Sequence, residues 1–540
     1  MANFRTLMGW TGRSALTYLA PSSTLAYNTT PTEYADSLEG SDGGETIQAL
    51  AGNDIVRAKD GNDLVYGQGG QDQLFGGDGD DILKGGHGSD TLVGGLGADV
   101  LDGDGDGGDP TTSIDYASYE NAGAGLTVSL NPLYQNTGKA AGDTFGNIEG
   151  LLGSAYNDVL IGDDGNNTLH GGDGDDTLEG GKGIDTFYGG SGFNFVSYEH
   201  AAAKVRVSLQ AGPSGKEGEA AGEYYQSIGG VIGSAYDDDL TADTGTWIKG
   251  GGGKDTIHAP STGSATLEGG TGDDTYWVSN LFAKNVIETS GGGTDIIYVS
   301  GDAVVSLEDY PEIENLWAAG GPVEFIGNSK NNAFNGSIGG IPDTLRGGAG
   351  DDTLSGGGSG ASYLGDHLYG GEGADTLNGR SEDYAHYDLA TRAVVVDLTD
   401  ASRNTGEAKG DVLIYIARLV GSAFNDTLTG DKEMNTLSGG AGADTLTGMG
   451  ANDNLDGGEG LNTAVFRGNY ADYTITDRSA FAGEAGIWSV ADTLGRDGTD
   501  AIKNIQILRF ADRSIRFNNH ETTGLTVATD PVSEDRLATS

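Results

Sequence analysis

The sequence predicts an all-β protein in which parallel β-roll solenoid blocks are separated by β-rich inserts and closed by a C-terminal β cap. Three observations indicate this fold class. From Ala49 to Asp102 the same residue types return every nine positions, with aspartate always in the sixth column. An aliphatic residue always stands in the eighth column, and glycine dominates the first, second and fourth columns. Because glycine tolerates positive φ, each nonapeptide reads as a tight turn followed by a very short strand.

A single short strand cannot bury its aliphatic side chain, so the nonapeptides must stack on one another. Two consecutive nonapeptides then form one coil of a right-handed roll, and turns that stack directly are two repeats apart. This arrangement places Asp54, Asp72 and Asp90 on one edge of the roll. Carboxylates stacked at a sheet spacing of about 4.8 Å repel one another unless a cation lies between them.

The turns offer carboxylate and carbonyl oxygens, and the chain has no cysteine. Such a set of hard oxygen ligands suits Ca²⁺ better than Mg²⁺ or Zn²⁺. The aspartates predicted to bind the metal are Asp54, Asp63, Asp72, Asp81, Asp90, Asp99, Asp158, Asp176, Asp185, Asp238, Asp255, Asp274, Asp352, Asp375, Asp426, Asp444 and Asp453. The turn glycines predicted to contribute are Gly77, Gly79, Gly86, Gly88, Gly95, Gly97, Gly172, Gly174, Gly181, Gly183, Gly440 and Gly442.

Two of the repeats, GGDGDDILK and GGHGSDTLV, show the whole pattern G-G-x-G-x-D-x-U-x. This pattern resembles the haemolysin-type calcium-binding nonapeptide of the RTX family. The resemblance implies a parallel β-roll with Ca²⁺ in its turns. It also implies export by a type I secretion system that reads an uncleaved C-terminal signal.

The array is predicted to consist of rolls that alternate with inserts. The predicted segments are an N-terminal cap or arm (1–45), a first roll (46–109), an insert (110–152), a second roll (153–196), an insert (197–232), a third, degraded roll (233–277), an insert (278–340), a fourth roll (341–380), an insert (381–420), a fifth roll (421–462), a C-terminal β cap (463–519) and a secretion tail (520–540).

Three of the inserts share one design. A tyrosine (Tyr119, Tyr198 or Tyr387) precedes a β-rich run, LTVSL, VRVSL or VVVDL, and a Gly-Ser-Ala-aromatic sequence then restarts the repeats. The alternation within these runs predicts strands that pair beside the roll.

The formal net charge of −52 argues against nucleic acid and anionic membranes as partners, because both would be repelled. It also predicts poor folding without divalent cations. No apolar stretch is long enough for a transmembrane segment, and the N-terminus lacks the apolar core of a signal peptide. We therefore expect a secreted, extracellular or cell-surface protein, exported by the type I route.

We expect no enzyme activity, because the zinc motif H-E-x-x-H is absent and no block outside the repeats is long enough for a separate catalytic fold. A carboxylate pair that modifies polysaccharides stays an alternative. Trp247, Trp277, Trp317 and Trp488 suit the capping of a roll end better than stacking on sugars.

The expected function is that of a secreted calcium-binding structural or surface protein, in a surface layer, extracellular matrix or adhesive coat, that folds and assembles on binding Ca²⁺. Besides calcium ions, the expected partners are further copies of the chain or a cell-surface or matrix polysaccharide. A glycan- or host-binding adhesin and a polysaccharide-modifying enzyme are the alternatives.

Overall fold

A computed structural model describes residues 30–104, 113–209, 215–279, 285–358, 364–478 and 486–516. The described residues form short β-strands joined by turns, with brief 3₁₀ turns and no α-helix among them. They divide into two compact units, unit 1 up to Asp274 and unit 2 from Thr275 onward. Each unit is a parallel β-solenoid, which confirms the predicted fold class. The predicted secretion tail and most of the predicted N-terminal segment lie outside the described residues.

The strands of unit 1 are β1 (Ser37–Glu39), β2 (Thr46–Gln48), β3 (Ile55–Asp60), β4 (Leu64–Gly69), β5 (Gln73–Asp78), β6 (Ile82–His87), β7 (Thr91–Leu96), β8 (Val100–Asp102), β9 (Tyr116–Ser118), β10 (Thr127–Ser129), β11 (Thr144–Gly146), β12 (Gly150–Leu152), β13 (Val159–Ile161), β14 (Thr168–Asp173), β15 (Thr177–Glu179), β16 (Thr186–Ser191), β17 (Phe195–Ser197), β18 (Arg206–Ser208), β19 (Gly215–Glu217), β20 (Tyr224–Gln226), β21 (Gly230–Ile232), β22 (Asp239–Thr241), β23 (Trp247–Gly252), β24 (Thr256–His258) and β25 (Thr266–Thr271). Its 3₁₀ turns are Gly138–Ala140 and Gly218–Ala220.

Within unit 1 the strands hydrogen-bond in the orders β1-β3-β5-β7-β9-β12-β14-β16-β20, β11-β8-β6-β4-β2, β10-β13-β15-β17-β21-β23-β25 and β19-β18-β22-β24. Alternate strands are therefore neighbours, as expected when two nonapeptides make one coil.

The strands of unit 2 are β26 (Thr275–Ser279), β27 (Val286–Ile287), β28 (Ile296–Ser300), β29 (Ala303–Ser306), β30 (Asn315–Gly320), β31 (Val323–Ile326), β32 (Ala333–Asn335), β33 (Thr344–Ala349), β34 (Thr353–Ser355), β35 (His367–Glu372), β36 (Thr376–Asn378), β37 (Tyr384–His386), β38 (Val395–Asp397), β39 (Val412–Ile414), β40 (Arg418–Val420), β41 (Thr427–Thr429), β42 (Thr436–Ser438), β43 (Thr445–Thr447), β44 (Asn454–Asp456), β45 (Thr463–Val465), β46 (Tyr473–Asp477), β47 (Trp488–Asp492), β48 (Thr499–Lys503), β49 (Ile507–Arg509) and β50 (Ser514–Arg516). Its 3₁₀ turns are Ala401–Arg403, Gly406–Ala408 and Tyr470–Asp472.

Within unit 2 the strand orders are β26-β28-β30-β32-β34-β36-β39, β29-β31-β33-β35-β37-β40-β42-β44-β48-β47-β46 and β38-β41-β43-β45-β49-β50. The first two are called the β26–β39 sheet and the β29–β46 sheet below.

The core is the stack of eighth-column side chains. Val56 pairs in parallel register with Leu74, and Leu74 pairs with Leu92. All three are fully buried. Because side chains alternate along a strand, the residues on either side of each core position point outward. Most strands therefore contribute one or two apolar side chains to the narrow interior; β28, for example, buries both Ile297 and Val299.

The inserts differ from the prediction, because their strands lie within the solenoid and not beside it. Strand β10 of the LTVSL run pairs in parallel register with β13, with Val128 opposite Leu160. The runs VRVSL and VVVDL pair in the same way with β22 and β41. Each run places the valine of its paired strand in the core (Val128, Val207 or Val396), and VRVSL and VVVDL also bury Val205 and Val394. The physical reason is that each run carries the same outward-inward-outward pattern as a nonapeptide strand.

Beyond the last repeats, unit 2 adds antiparallel strands, with β46 paired to β47 and β47 to β48. Strand β48 also pairs in parallel with β44, so the antiparallel strands continue a solenoid sheet. Phe466, Tyr473 and Phe510 pack together there, with Phe466 and Phe510 stacked at 5.4 Å between ring centroids. The boundaries of the predicted segments stay a prediction.

Candidate metal sites

The turns depend on positive φ in the second and fourth columns. Gly77 and Gly79 have φ angles of 125° and 137°, and the remaining glycines predicted to contribute also have positive φ. A Cβ atom on Gly77 would lie 1.5 Å from the carbonyl oxygen of Lys59 in the turn stacked on it. Glycine is therefore required by both backbone conformation and close approach. Lys59 itself takes a positive φ of 84° in its own second column.

The sixth-column aspartates form ladders between turns two repeats apart. The backbone N–H of Asp54 donates to Oδ1 of Asp72 at 2.8 Å, and that of Asp72 donates to Oδ1 of Asp90 at 2.7 Å. On the other edge, the N–H of Asp63 donates to Oδ1 of Asp81 at 2.8 Å. One carboxylate oxygen of each stacked aspartate is thus used to hold successive turns together.

The second oxygen, Oδ2, is buried in the turn without a hydrogen-bond partner. This holds for the predicted ligands Asp54, Asp63, Asp72, Asp81, Asp90, Asp99, Asp176, Asp185, Asp255, Asp352, Asp375, Asp444 and Asp453. A buried polar atom without a partner costs about 1–3 kcal/mol, and more if it is charged. The same buried oxygen atom without a partner therefore recurs from turn to turn along the edges of the solenoid.

The first-column glycine borders each of these oxygens. A Cβ atom on Gly76 would lie 2.2 Å from Oδ2 of Asp81 and 2.6 Å from the carbonyl oxygen of Gly94. A Cβ atom on Gly67 would likewise lie 2.4 Å from Oδ2 of Asp72. The space in front of Oδ2 is thus lined by oxygen atoms and kept open by glycine, which is the donor set that Ca²⁺ prefers.

Burial disfavours the charged form of these carboxylates. It raises the pKa of Asp90 to about 7, and the neighbouring charge of Asp72 adds to the effect. Burial likewise raises the pKa of Asp255 to about 8, with the charge of Asp274 adding to it. A divalent cation against Oδ2 would favour the ionised form and remove this penalty.

Three of the predicted ligands have both oxygens satisfied by protein. Oδ2 of Asp158 accepts the backbone N–H of Ser154 at 2.5 Å, and Oδ1 accepts the N–H of Leu126 at 3.0 Å. Asp238 and Asp426 have the same arrangement with the serines of their own Gly-Ser-Ala-aromatic sequences, at 2.6 and 2.5 Å. These aspartates differ from the others because a serine N–H takes the place that a cation would fill. Asp274 is also buried, and its Oδ1 accepts the N–H of Asp255 at 2.8 Å.

Several buried acidic residues in the same ladders were missed by sequence reasoning. The N–H of Asp90 donates to Oδ1 of Asp115 at 2.7 Å, and the N–H of Asp99 donates to Oδ1 of Asp143 at 2.9 Å. The missed residues that accept a backbone N–H from an adjacent coil are Asp115, Asp143, Asp343, Asp366, Asp383, Asp411 and Asp500. Glu223 and Asp295 are buried acidic residues that were also missed. Inserts of varied length hide them from a nine-residue count. The signal that could have found Asp115 is the small apolar residue two positions later, Ala117, which stands where the repeats have their core residue and which is buried in the structure.

A family model, the RTX calcium-binding nonapeptide repeat, matches residues 39–74, 75–108, 152–187, 161–196, 326–359, 365–383 and 433–464. The chain contains RTX calcium-binding nonapeptide repeats. No curated protein matches it. RTX repeat proteins are typically secreted. The described part of the chain forms no helix with the length and hydrophobicity needed to cross a membrane.

The residues present fit the calcium ions that RTX repeats bind. The donors would be the partnerless Oδ2 atoms together with the carbonyl oxygens of the first-column glycines, such as Gly85 beside Asp72. Ca²⁺, when bound, supplies the positive charge that these buried oxygens lack. The protein's own part is to hold the carboxylates in register through Oδ1 and to keep the space open with glycine.

Proposed function

We propose that this RTX protein is a secreted structural or surface protein whose folding is switched on by extracellular Ca²⁺. One observation carries the proposal: the buried, partnerless Oδ2 atoms recur in stacked turns along both units. At low Ca²⁺ the burial of these carboxylates opposes folding. At higher Ca²⁺ the binding energy of each ion adds to the free energy of folding.

The net charge of −52 acts in the same direction. Self-repulsion favours an extended chain when cations are scarce, and each bound Ca²⁺ removes two charges. An extended chain suits export through the type I route that the RTX resemblance implies. The switch therefore links the place of folding to the calcium concentration of the compartment.

Circular dichroism during a calcium titration of the purified chain tests this proposal. We expect a disordered spectrum in chelator and a β spectrum at millimolar Ca²⁺, with full reversal on adding chelator. Mg²⁺ at equal concentration serves as the control and should not restore the β spectrum. A chain that is already fully folded in chelator would disprove the switch.

Self-association is the proposed basis of the structural role. Ile82 and Val100 lie next to each other in one outward row of unit 1 and are 38% and 40% exposed. Exposed apolar rows support contacts with another molecule. Electron microscopy with and without Ca²⁺ tests this point: ordered sheets or filaments are expected only with Ca²⁺, and dispersed particles in both samples would contradict it.

We propose no catalytic role. A cavity of unit 2 is lined by asparagine, serine, glycine, arginine and tyrosine, without a carboxylate or imidazole among its described residues. Such a lining supports binding over acid-base chemistry. Release of reducing sugar from neutral or acidic polysaccharides in the presence of Ca²⁺ is expected to be undetectable, and measured turnover would contradict the proposal.

A further inference from the structure

Unit 2 carries an uncharged row on the outward face of the β26–β39 sheet. Parallel register places its members on successive strands, and we call them the neutral row: Trp277, Tyr298, Trp317, Asn335, Ser355 and Asn378. The neighbouring outward row, from Thr275 to Val412, also lacks Asp, Glu, Lys and Arg. In a chain of net charge −52 this face is a distinct surface.

The β29–β46 sheet of the same unit provides the contrast. Its outward positions include Glu324, Arg346, Arg418, Asp456 and Lys503. Charge is therefore tolerated on outward positions of this solenoid. The absence of charge from the neutral row is a property of that face and not a requirement of stacking.

The aromatic end of the neutral row is exposed. The rings of Trp277 and Tyr298 stack at 4.2 Å between centroids with planes 9° apart, while Trp317 is turned 73° from the Tyr298 plane. Trp277 and Trp317 are 39% and 38% exposed. Trp317 has a paired strand on each side, β28 and β32, so it does not cap a roll end as the sequence suggested.

The polar end of the neutral row opens into a shallow cavity of about 590 Å³. Asn335, Ser355 and Asn378 line it together with Arg380 and Tyr415. These side chains offer several hydrogen-bond donors and acceptors but no negative charge. The aromatic and polar ends are continuous, because Trp317 pairs with Asn335 across adjacent strands.

Tyr415 is held in an unusual backbone conformation beside this cavity. Its φ is 56°, and its side chain is 79% exposed. The residues that follow the corresponding strands of the other two inserts, Asn147 and Ser227, also have positive φ, at 50° and 59°. Asparagine adopts this conformation more easily than a bulky aromatic residue does. A strained, exposed tyrosine at the mouth of a cavity points to a binding role.

We propose that the neutral row binds an uncharged linear polysaccharide. The C–H faces of sugar rings pack on aromatic side chains, and their hydroxyl groups exchange hydrogen bonds with amides and serine. Five strand spacings from Trp277 to Asn378 give a length of about 24 Å, enough for several sugar units. An acidic polysaccharide would be repelled by the net charge of the chain, whereas a neutral one meets no charge within the neutral row itself.

The test is affinity electrophoresis of the full chain, folded in millimolar Ca²⁺. The gels contain a neutral glucan, mannan or xylan, and polygalacturonate serves as the acidic probe. We expect retardation by at least one neutral polymer and none by polygalacturonate. Trp317→Ala and Asn378→Asp should each weaken the retention by about tenfold or more. Tyr369→Ala, an aromatic residue on the outward face of the β29–β46 sheet, is the matched control and should bind as the wild type does.

Circular dichroism in Ca²⁺ shows whether each variant is folded. If Trp317→Ala does not fold, Asn378→Asp still tests the proposal, because it keeps the shape of the side chain. Retention of no neutral polymer would overturn the proposal, and so would equal binding by Asn378→Asp and wild type. Dimerisation that Trp317→Ala abolishes, without glycan binding, would show that a second copy occupies the face. This proposal goes beyond the calcium switch, which would still be seen in the titration if glycan binding failed.

Discussion

The hydroxyl group of Tyr119 donates a hydrogen bond to Oδ2 of Asp143 at 2.7 Å. Oδ1 of the same carboxylate accepts the N–H of Asp99 at 2.9 Å, as in the ladders of the repeats. Tyr387 makes the same contact with Asp411 at 2.9 Å in another insert. At these turns a tyrosine proton satisfies the oxygen that a cation would otherwise meet. The inserts therefore continue the ladder with a tyrosine hydroxyl as the partner of that oxygen.

Removal of this hydroxyl should destabilise the folded state even when calcium is saturating. Tyr119→Phe leaves Oδ2 of Asp143 buried without a donor, and we expect a loss of about 1–3 kcal/mol in the free energy of unfolding. Urea unfolding at millimolar Ca²⁺ measures it. Tyr156→Phe, at a tyrosine that is 48% exposed, is the matched control and should change stability little. Equal losses in both variants would contradict the role of the hydrogen bond.

The two classes of aspartate should respond differently to loss of charge. Asp90→Asn keeps an oxygen for the N–H of Asp72 but weakens the partnerless position, so we expect fewer bound Ca²⁺ by equilibrium dialysis. Asp158→Asn faces the N–H groups of Ser154 and Leu126, so it should lower the urea midpoint while the number of bound Ca²⁺ stays at the wild-type value. The same calcium count in both variants would contradict this division.

The sequence predicted the regular part of the molecule because its period is strict. From Ala49 to Asp102 the nine-residue spacing defines which side chain enters the core and which aspartates stack, and Asp72 and Asp90 are hydrogen-bonded as that spacing requires. The aspartates of the inserts were not predicted, because the lengths of the inserts vary. Asp143 lies 44 residues after the Asp99 whose N–H it accepts, so no fixed period connects the two.

The division between aspartates with a partnerless Oδ2 and serine-bonded aspartates could not be predicted, because it depends on which donor reaches Oδ2. Asp81 and Asp158 occupy the same column, yet Ser154 turns its N–H toward the second carboxylate only. The position of Trp317 in the middle of a sheet was missed for a similar reason. It depends on the parallel pairing of its strand with β28 and β32, which both lie in the predicted insert 278–340.

Stability at saturating Ca²⁺ should depend on pH through Glu223. Its Oε2 accepts a hydrogen bond from the hydroxyl of Tyr225 at 2.7 Å, and burial raises the pKa of Glu223 to about 8. The folded state therefore holds a proton that the unfolded state releases near the ordinary glutamate pKa. The stability that this bound proton contributes is fully present below the ordinary glutamate pKa. It is lost as the pH rises toward the folded-state pKa of about 8.

Glu223→Gln copies the protonated form and should flatten this part of the pH profile. Urea unfolding at pH values from about 5 to about 9 measures how the free energy of unfolding of this variant and of the wild type changes with pH. Glu433→Gln, at an exposed glutamate, provides the control and should keep the wild-type profile. Parallel profiles for wild type and Glu223→Gln would show that this carboxyl does not carry the dependence.

A glycine at position 68 should stabilise the first roll. Gln68 stands in the second column, where its φ of 76° is left-handed and costs a residue with a Cβ atom about 1–2 kcal/mol. Gln68→Gly relieves this strain, and even after the added flexibility of the unfolded chain we expect a gain of up to about 1 kcal/mol. Gln73→Gly, at an exposed strand position outside the positive-φ set, should instead destabilise by about 0.5–1 kcal/mol. A higher urea midpoint for Gln68→Gly and a lower one for Gln73→Gly, both in Ca²⁺, would establish that backbone conformation limits the stability of this turn. A lower midpoint for both variants would contradict it.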